Sequence, residues 1–269
     1  MKNTSLKRAL QAVAACALLG LGSASWAAST WNLTSLCGSS SGTAAVTCTA
    51  SGGATLTAQA YSTGTGTVAA PTAGTTFAAA QLNNYGSTNG MGVVSSNEDG
   101  SAPNHTMDNS KGTDLISLNF GTASVALTNI GLGYINTDSD LSVLAFVGTA
   151  AQKALGVAGK TIAQLLANGW ALIGSYNGSS SSNTAVNTAL ATNTVSSSWW
   201  LISAFDSGYG GSCTSCDAGN DYVKLLSVAG NVSTTTTKVP EPGSLALMGV
   251  GLLGLLGTSR RRKAKALAA

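Results

Sequence analysis

Between Ala28 and Lys238 the apolar residues come in short runs separated by Gly, Ser, Thr and Asn, and the runs carry two signatures. Residues Thr43 to Ala50, Ala54 to Ser62 and Thr75 to Leu82 alternate Thr and small residues with Val, Leu, Tyr and Phe, the period of a half-buried strand. Gly90–Val94, Leu115–Phe120, Val125–Ile130 and Leu141–Val147 are more continuously apolar and bounded by Gly, Asn and Asp, which predicts strands at the centre of a sheet. Further strands are expected at Trp170–Tyr176, Trp199–Phe205 and Tyr222–Val228. Only Thr161–Asn168 has apolar residues at three- and four-residue spacing, with a Thr to cap it and Asn168-Gly169 to stop it, so one short helix is expected there. Many short strands with so little helical period predict a mainly β protein, an antiparallel two-sheet sandwich of jelly-roll type. A β-solenoid is set aside because no repeat period is present.

The two ends follow other patterns. Residues 1–27 combine a basic start (Lys2, Lys7, Arg8), an apolar stretch from Ala9 to Leu21, and small residues at Ser25 and Ala27, which reads as a secretory signal cut after Ala27. Val13-Ala14-Ala15-Cys16 has the form of a lipoprotein box but falls inside the apolar stretch, which argues against lipidation. At the other end, a polar linker, 234–238, whose four threonines could carry sugar, leads into Val239-Pro240-Glu241-Pro242, an apolar run from Leu245 to Gly257, and the basic cluster Arg260, Arg261, Arg262, Lys263 and Lys265. The prolines hold the first part extended and exposed. The apolar run is charge-free yet shorter than the roughly 20 residues that span a bilayer comfortably, so it is expected to form a marginally inserting helix with the basic cluster on the cytoplasmic side.

Charge confirms how these parts divide. The net charge of +3 comes from the two ends, because Ala28 to Lys238 holds five lysines against nine acids. The basic excess is therefore topogenic, and nucleic-acid binding loses its support. Removal of the signal leaves Cys37, Cys48, Cys213 and Cys216 in a chain bound for an oxidising compartment. Three pairings are possible; Cys37 with Cys48 and Cys213 with Cys216 are favoured, each closing a short Gly/Ser-rich loop. Cys213-Thr-Ser-Cys216 lacks the second CxxC of a zinc site and the βαβ setting of a redox motif.

Order and spacing of the tail, with its Pro-Glu-Pro, resemble the PEP-CTERM sorting signal of Gram-negative bacteria. The resemblance implies recognition and cutting of the segment 239–265 by exosortase, a transpeptidase-like membrane enzyme. It assigns the sorting role to Val239, Pro240, Glu241, Pro242 and Arg260 to Arg262, with only transient residence in the inner membrane. Gly90 to Asp99, Pro103 to Asn109, Asp114 to Phe120, Ile130-Gly-Leu-Gly-Tyr134, Asp138-Ser-Asp140, Gly169-Trp170, Ser198 to Phe205 and Asp221 to Leu225 resemble a family of exosortase-dependent surface proteins. That implies a protein of the cell surface or exopolysaccharide matrix, with residues 28–233 as its extracellular domain and no catalytic residues to carry over.

The chemistry of that domain concentrates between Tyr85 and Phe146, which holds His105 and six of the nine acids, Glu98, Asp99, Asp108, Asp114, Asp138 and Asp140. These are hard oxygen donors and admit a calcium reading, although Asp138-Ser-Asp140 lacks the rest of an EF-hand loop. The stronger expectation is that they form Asx-turns and cap strand ends, with no cofactor. His105 with Asp108 invites a Ser-His-Asp hydrolase, but no Gly-x-Ser-x-Gly elbow is present, so no enzyme is expected. Ala154 to Thr161 imitates a nucleotide-binding loop with Ala in place of its first Gly, and is refused in an exported chain. A secreted carbohydrate-binding module is the alternative function, with Trp199, Trp200 and Tyr209, joined by Trp170, as a sugar platform. Adjacent Trp199 and Trp200 must face opposite ways in a strand, and core packing is the default for each.

Overall fold

In the computed structural model residues 26–233 are described, apart from 38–41, 43–44, 50–53, 65–73, 97, 99, 179–185, 191, 218 and 220; all belong to one compact unit, Ser25–Thr234. The signal segment up to residue 25, the sorting tail and its expected helix, and Asp99 lie outside the described residues. Among the described residues no helix is long and apolar enough to cross a membrane.

The strands, in chain order, are β1 (Trp26–Asn32), β2 (Val46–Thr49), β3 (Thr55–Ser62), β4 (Ala78–Ala79), β5 (Gln81–Asn84), β6 (Met91–Val94), β7 (Met107–Asp108), β8 (Asp114–Asn119), β9 (Ser124–Thr137), β10 (Leu141–Phe146), β11 (Trp170–Tyr176), β12 (Val186–Ala189), β13 (Trp199–Ala204) and β14 (Asp221–Ser233). They form two antiparallel sheets. One runs β12-β9-β14-β6-β5, with β1 and β7 also on β14; the other runs β11-β10-β13-β8-β3-β2, with β4 on β3. The mainly β, two-sheet expectation is met, and the continuously apolar runs of β8 and β10 do lie inside their sheet.

β14 organises the first sheet. One of its edges follows β9 from Thr137 to Ser124, while the other takes β7 at Tyr222 and Val223, β6 at Leu225, and β1 from Ser227 to Ser233. The last rung, Trp26 with Ser233, brings the two ends of the domain out side by side. A signal cut after Ala27 leaves β1 paired from Ala28, opposite Asn231.

Between the sheets, Trp31, Leu127, Ile130, Leu132, Leu225 and Val228 from one meet Leu56, Ile116, Leu118, Val143, Trp200 and Ile202 from the other in one buried cluster. The second sheet is covered on its other face as well. There Leu115, Leu144 and Leu201 pack with Phe77, Val157, Ile162, Leu165 and Trp170. Two covered faces explain why β10 is buried at all six positions and shows no alternation in sequence.

The expected helix appears as α3 (Ile162–Ala167), with Thr161 as N-cap in a capping box with Gln164. Two single turns were not expected, α1 (Leu33–Leu36) and α2 (Ala150–Lys153). The second is started by the same Thr-x-x-Gln device, Thr149 with Gln152, too short to show a helical period. Thr75 to Leu82, expected as one strand, instead changes sheets at Ala80: β4 pairs with β3, while β5 pairs with β6. The disulfides are Cys37–Cys48, which fastens α1 to β2, and Cys213–Cys216.

Candidate functional site

The acids gather where β14 begins. Glu98, Asp108 and Asp114 form one group and Asp138, Asp140 and Asp221 another; within each, one oxygen from every carboxylate lies within 4.8 Å of the others. β7 sets Asp108 opposite Tyr222 on β14, and Asn109 then joins the groups. Its side-chain amide donates to the Asp221 carboxylate, and its oxygen accepts from the backbone N–H of Gly219 and Asp221. Sequence reasoning left Asp221 out. The signal was present: Asp114, Asp140 and Asp221 each stand at the head of a strand run, as Asp114-Leu115, Asp140-Leu141 and Asp221-Tyr222.

Most of these oxygens are met by backbone donors. Asp140 accepts from Gly178 N–H at 2.8 Å and Asp217 N–H at 3.0 Å, and Asp221 from Asp140 N–H at 2.6 Å. Asp108 accepts from Ser110 N–H at 2.9 Å and Asp138 from Ser139 N–H at 2.7 Å, the local side-chain turns expected of these residues. Burial still weighs more. It pushes Asp108 up to about 7, helped by the charge of Glu98, and Asp221 up to about 8. Asp114, fully enclosed and beside Asp108 and Glu98, lies well above the ordinary carboxylate range, and Asp140 is raised by burial. Three oxygens of this hardness at this spacing can share protons or take a cation such as Ca²⁺.

His105 and Lys224 sit on the face of the first sheet away from the inter-sheet core. Lys224, opposite Tyr134 on β9, is only 2% exposed. Its ammonium lies 3.7 Å from the centre of the Tyr134 ring and 4.6 Å from that of Tyr85. Burial lowers its pKa to about 8. His105 stacks on Tyr85 at 4.5 Å, and its Nδ1 has no hydrogen-bond partner, so no carboxylate orients the ring. Burial and the charge of Lys224 hold it below the ordinary histidine value. Gly92 makes this cover possible, since a Cβ there would fall 2.0 Å from the His105 carbonyl oxygen.

Trp199, Trp200 and Tyr209, the alternative sugar platform against a default of core packing, do not share one exposed face. Trp200 is fully buried between the sheets, its indole N–H shared by the carbonyls of Val125 and Ser197. Tyr209 is 2% exposed and bonds Ser203. Trp199 points the other way, as adjacency in a strand requires, into edge contacts with Trp170 and Phe146. The physical reason is the double covering of that sheet, which packs both faces of β13 and leaves Trp199 half-buried. The nucleotide-loop imitation resolves likewise: Gly156 and Gly159 take positive φ in turns, and Thr161 caps α3.

Fold and side chains together define a two-sheet β protein stapled by two disulfides, with its polar chemistry gathered at the head of one long strand. What marks it further is the segment after that strand. Residues 238–263 match the family model of the PEP-CTERM protein-sorting motif, which takes in Val239, Pro240, Glu241, Pro242 and Arg260 to Arg262. The chain thus carries a PEP-CTERM sorting motif at these residues; the motif implies export, processing by exosortase and membrane-associated sorting to the cell surface. No curated protein matches the chain.

Proposed function

We propose that the chain is a structural or adhesive component of the cell surface or exopolysaccharide matrix, delivered by exosortase processing and without catalysis of its own. The observation that carries this reading is the sorting motif at 238–263, which starts five residues after the last strand ends at Ser233. The domain is cargo, and the motif is its address. The state of His105 supports the non-catalytic part: a general base needs an orienting partner and a nucleophile within reach, whereas this imidazole is stacked under Tyr85 with its Nδ1 unpaired. The carboxylates of the β14 head then act on stability, as shared-proton or cation-holding groups, rather than on a substrate.

Mass spectrometry of the mature C-terminus, in cells with and without exosortase, tests the reading. The expected result is a chain ending near Val239 to Pro242 only where the enzyme is present. Full-length tails in both strains would sink the processing step, and a hydrolytic activity abolished by His105→Ala would sink the non-catalytic one.

A further inference from the structure

The edges of the two sheets approach one another at β11 and β12, each hydrogen-bonded on one side only. Between them opens a cleft of about 480 Å³, a volume typical of small-ligand sites. Its wall is formed by Ser175 and Tyr176 of β11, Asn187 and Thr188 of β12, and Ser212 and Thr214 of the Cys213–Cys216 loop. Among the described residues, none that lines it carries a charge. A phosphate, a uronic acid or a polyamine would enter without a counter-charge. Hydroxyls and side-chain amides donate as well as accept, which suits a ligand that offers both from one hydroxyl after another.

Tyr176 supplies the other half of sugar recognition. It follows Gly174 on the same face of β11, and a Cβ on Gly174 would stand 2.9 Å from the Tyr176 hydroxyl oxygen and 3.0 Å from its Cζ. The phenol therefore lies across the bare backbone of the glycine, its tilt set by contact, while the ring stays half-buried at the cleft wall. Such a ring presents an apolar face to C–H groups and a polar edge to hydroxyls.

We propose that this cleft is a binding site for a neutral oligosaccharide, stacked on Tyr176 and hydrogen-bonded by Thr188, Ser212 and Thr214. A peptide strand added to a free edge fits less well: β12 offers only four residues, and the two edges belong to different sheets. The assignment goes beyond the sorting reading and is tested apart from it, since ligand binding is measured on protein already exported.

The mature protein, purified with its disulfides intact, is titrated with neutral tetra- to hexasaccharides of glucose, galactose, mannose and N-acetylglucosamine, followed by saturation-transfer NMR and calorimetry. At least one series is expected to bind. Tyr176→Ala should weaken it about tenfold and Tyr176→Phe should retain it, because stacking needs the ring and not the hydroxyl. Thr188→Ala, a change on β12 that leaves β11 untouched, should weaken it as well. Melting temperatures of the variants separate lost binding from lost fold. Absence of binding across all four series, binding unaltered by both Tyr176→Ala and Thr188→Ala, or capture of strand-forming peptides in place of sugars overturns the proposal.

Discussion

Raising the pH from 5 to 8 is expected to destabilise the domain through the carboxylates at the head of β14. The folded-state values of Asp108 and Asp221, about 7 and about 8, stand above the ordinary 3.8 of an exposed Asp. Between pH 4 and those values the folded protein holds protons that the unfolded chain has released. Stability from these groups is therefore full below pH 4 and is lost as the pH rises through 7 to 8. For Asp108 about two pH units of the assay range lie below its folded-state value; at roughly 1.4 kcal/mol per unit the loss is on the order of 3 kcal/mol. Lys111 opposes the shift without cancelling it. Against a total stability of about 5–15 kcal/mol the change is large, and for a domain of this size it corresponds to a drop in Tm of about 10 °C. The assay is thermal unfolding followed by circular dichroism, in chelator, across pH 5 to 8. Asp114→Asn removes the fully enclosed member of its group, so it should raise Tm at pH 8 and shrink the difference from pH 5. Millimolar Ca²⁺ at pH 8 should offset the same loss if a cation takes the place of the lost protons. A Tm that is flat or rises from pH 5 to 8 in chelator, with Asp114→Asn no different from the parent, would refute the reasoning.

Other perturbations address other parts of the fold. Trp200→Ala, which empties a fully buried site between the sheets and removes the second donor to the Val125 and Ser197 carbonyls, should cost about 3–5 kcal/mol by denaturant titration. Lys224→Met exchanges a buried ammonium for an apolar chain of similar length and should leave Tm unchanged or higher at pH 7. Because the folded-state value of Lys224 is about 8 against an ordinary 10.5, the parent gains stability from this group as the pH rises from 8 to 10.5, and the variant should show no such gain in the same melts. Replacing Cys37 and Cys48 together by Ser opens a loop with a sequence separation of 11 and should cost about 3 kcal/mol, checked by denaturant titration. A chain ending at Ser233 keeps every rung of β14 and should melt with the mature protein, whereas one ending at residue 220 loses that strand and should be degraded on export, which immunoblotting reads.

Much of the second sheet was legible because its apolar runs are long and bounded by turn residues. Leu115–Phe120, Leu141–Val147 and Trp199–Phe205 fall on β8, β10 and β13 within a residue or two. The helix at 162–167 was legible from its cap and its stop. The partners of β14 were not, because a strand that meets β7, β6 and β1 in turn along one edge is specified by contacts far apart in sequence. The same holds for Lys224. In Tyr222-Val223-Lys224-Leu225 it alternates with core residues and reads as solvent-facing; only Tyr85 and His105, brought over it by distant segments, bury it. The carboxylates were legible as a set, but their division into two groups was not, since it depends on Asp221 arriving beside Asp138 and Asp140. Sugar binding was sought among the tryptophans, the residues a sequence makes most visible, while the cleft is lined by Ser, Thr and Asn that look like ordinary loop and edge residues.

β14 relates these parts to one another. At about 3.3 Å per residue its thirteen residues extend some 40 Å, with Asp221 and the carboxylates at one end and Ser233 at the other. β1 runs antiparallel to it and starts opposite Ser233, so the segments preceding and following the domain leave from the carboxylate-free end. The cleft reaches from the middle of that strand, where β12 lies beside the part of β9 that pairs with Leu225 to Ala229, to its carboxylate end, where Gly178 donates to Asp140, which in turn donates to Asp221.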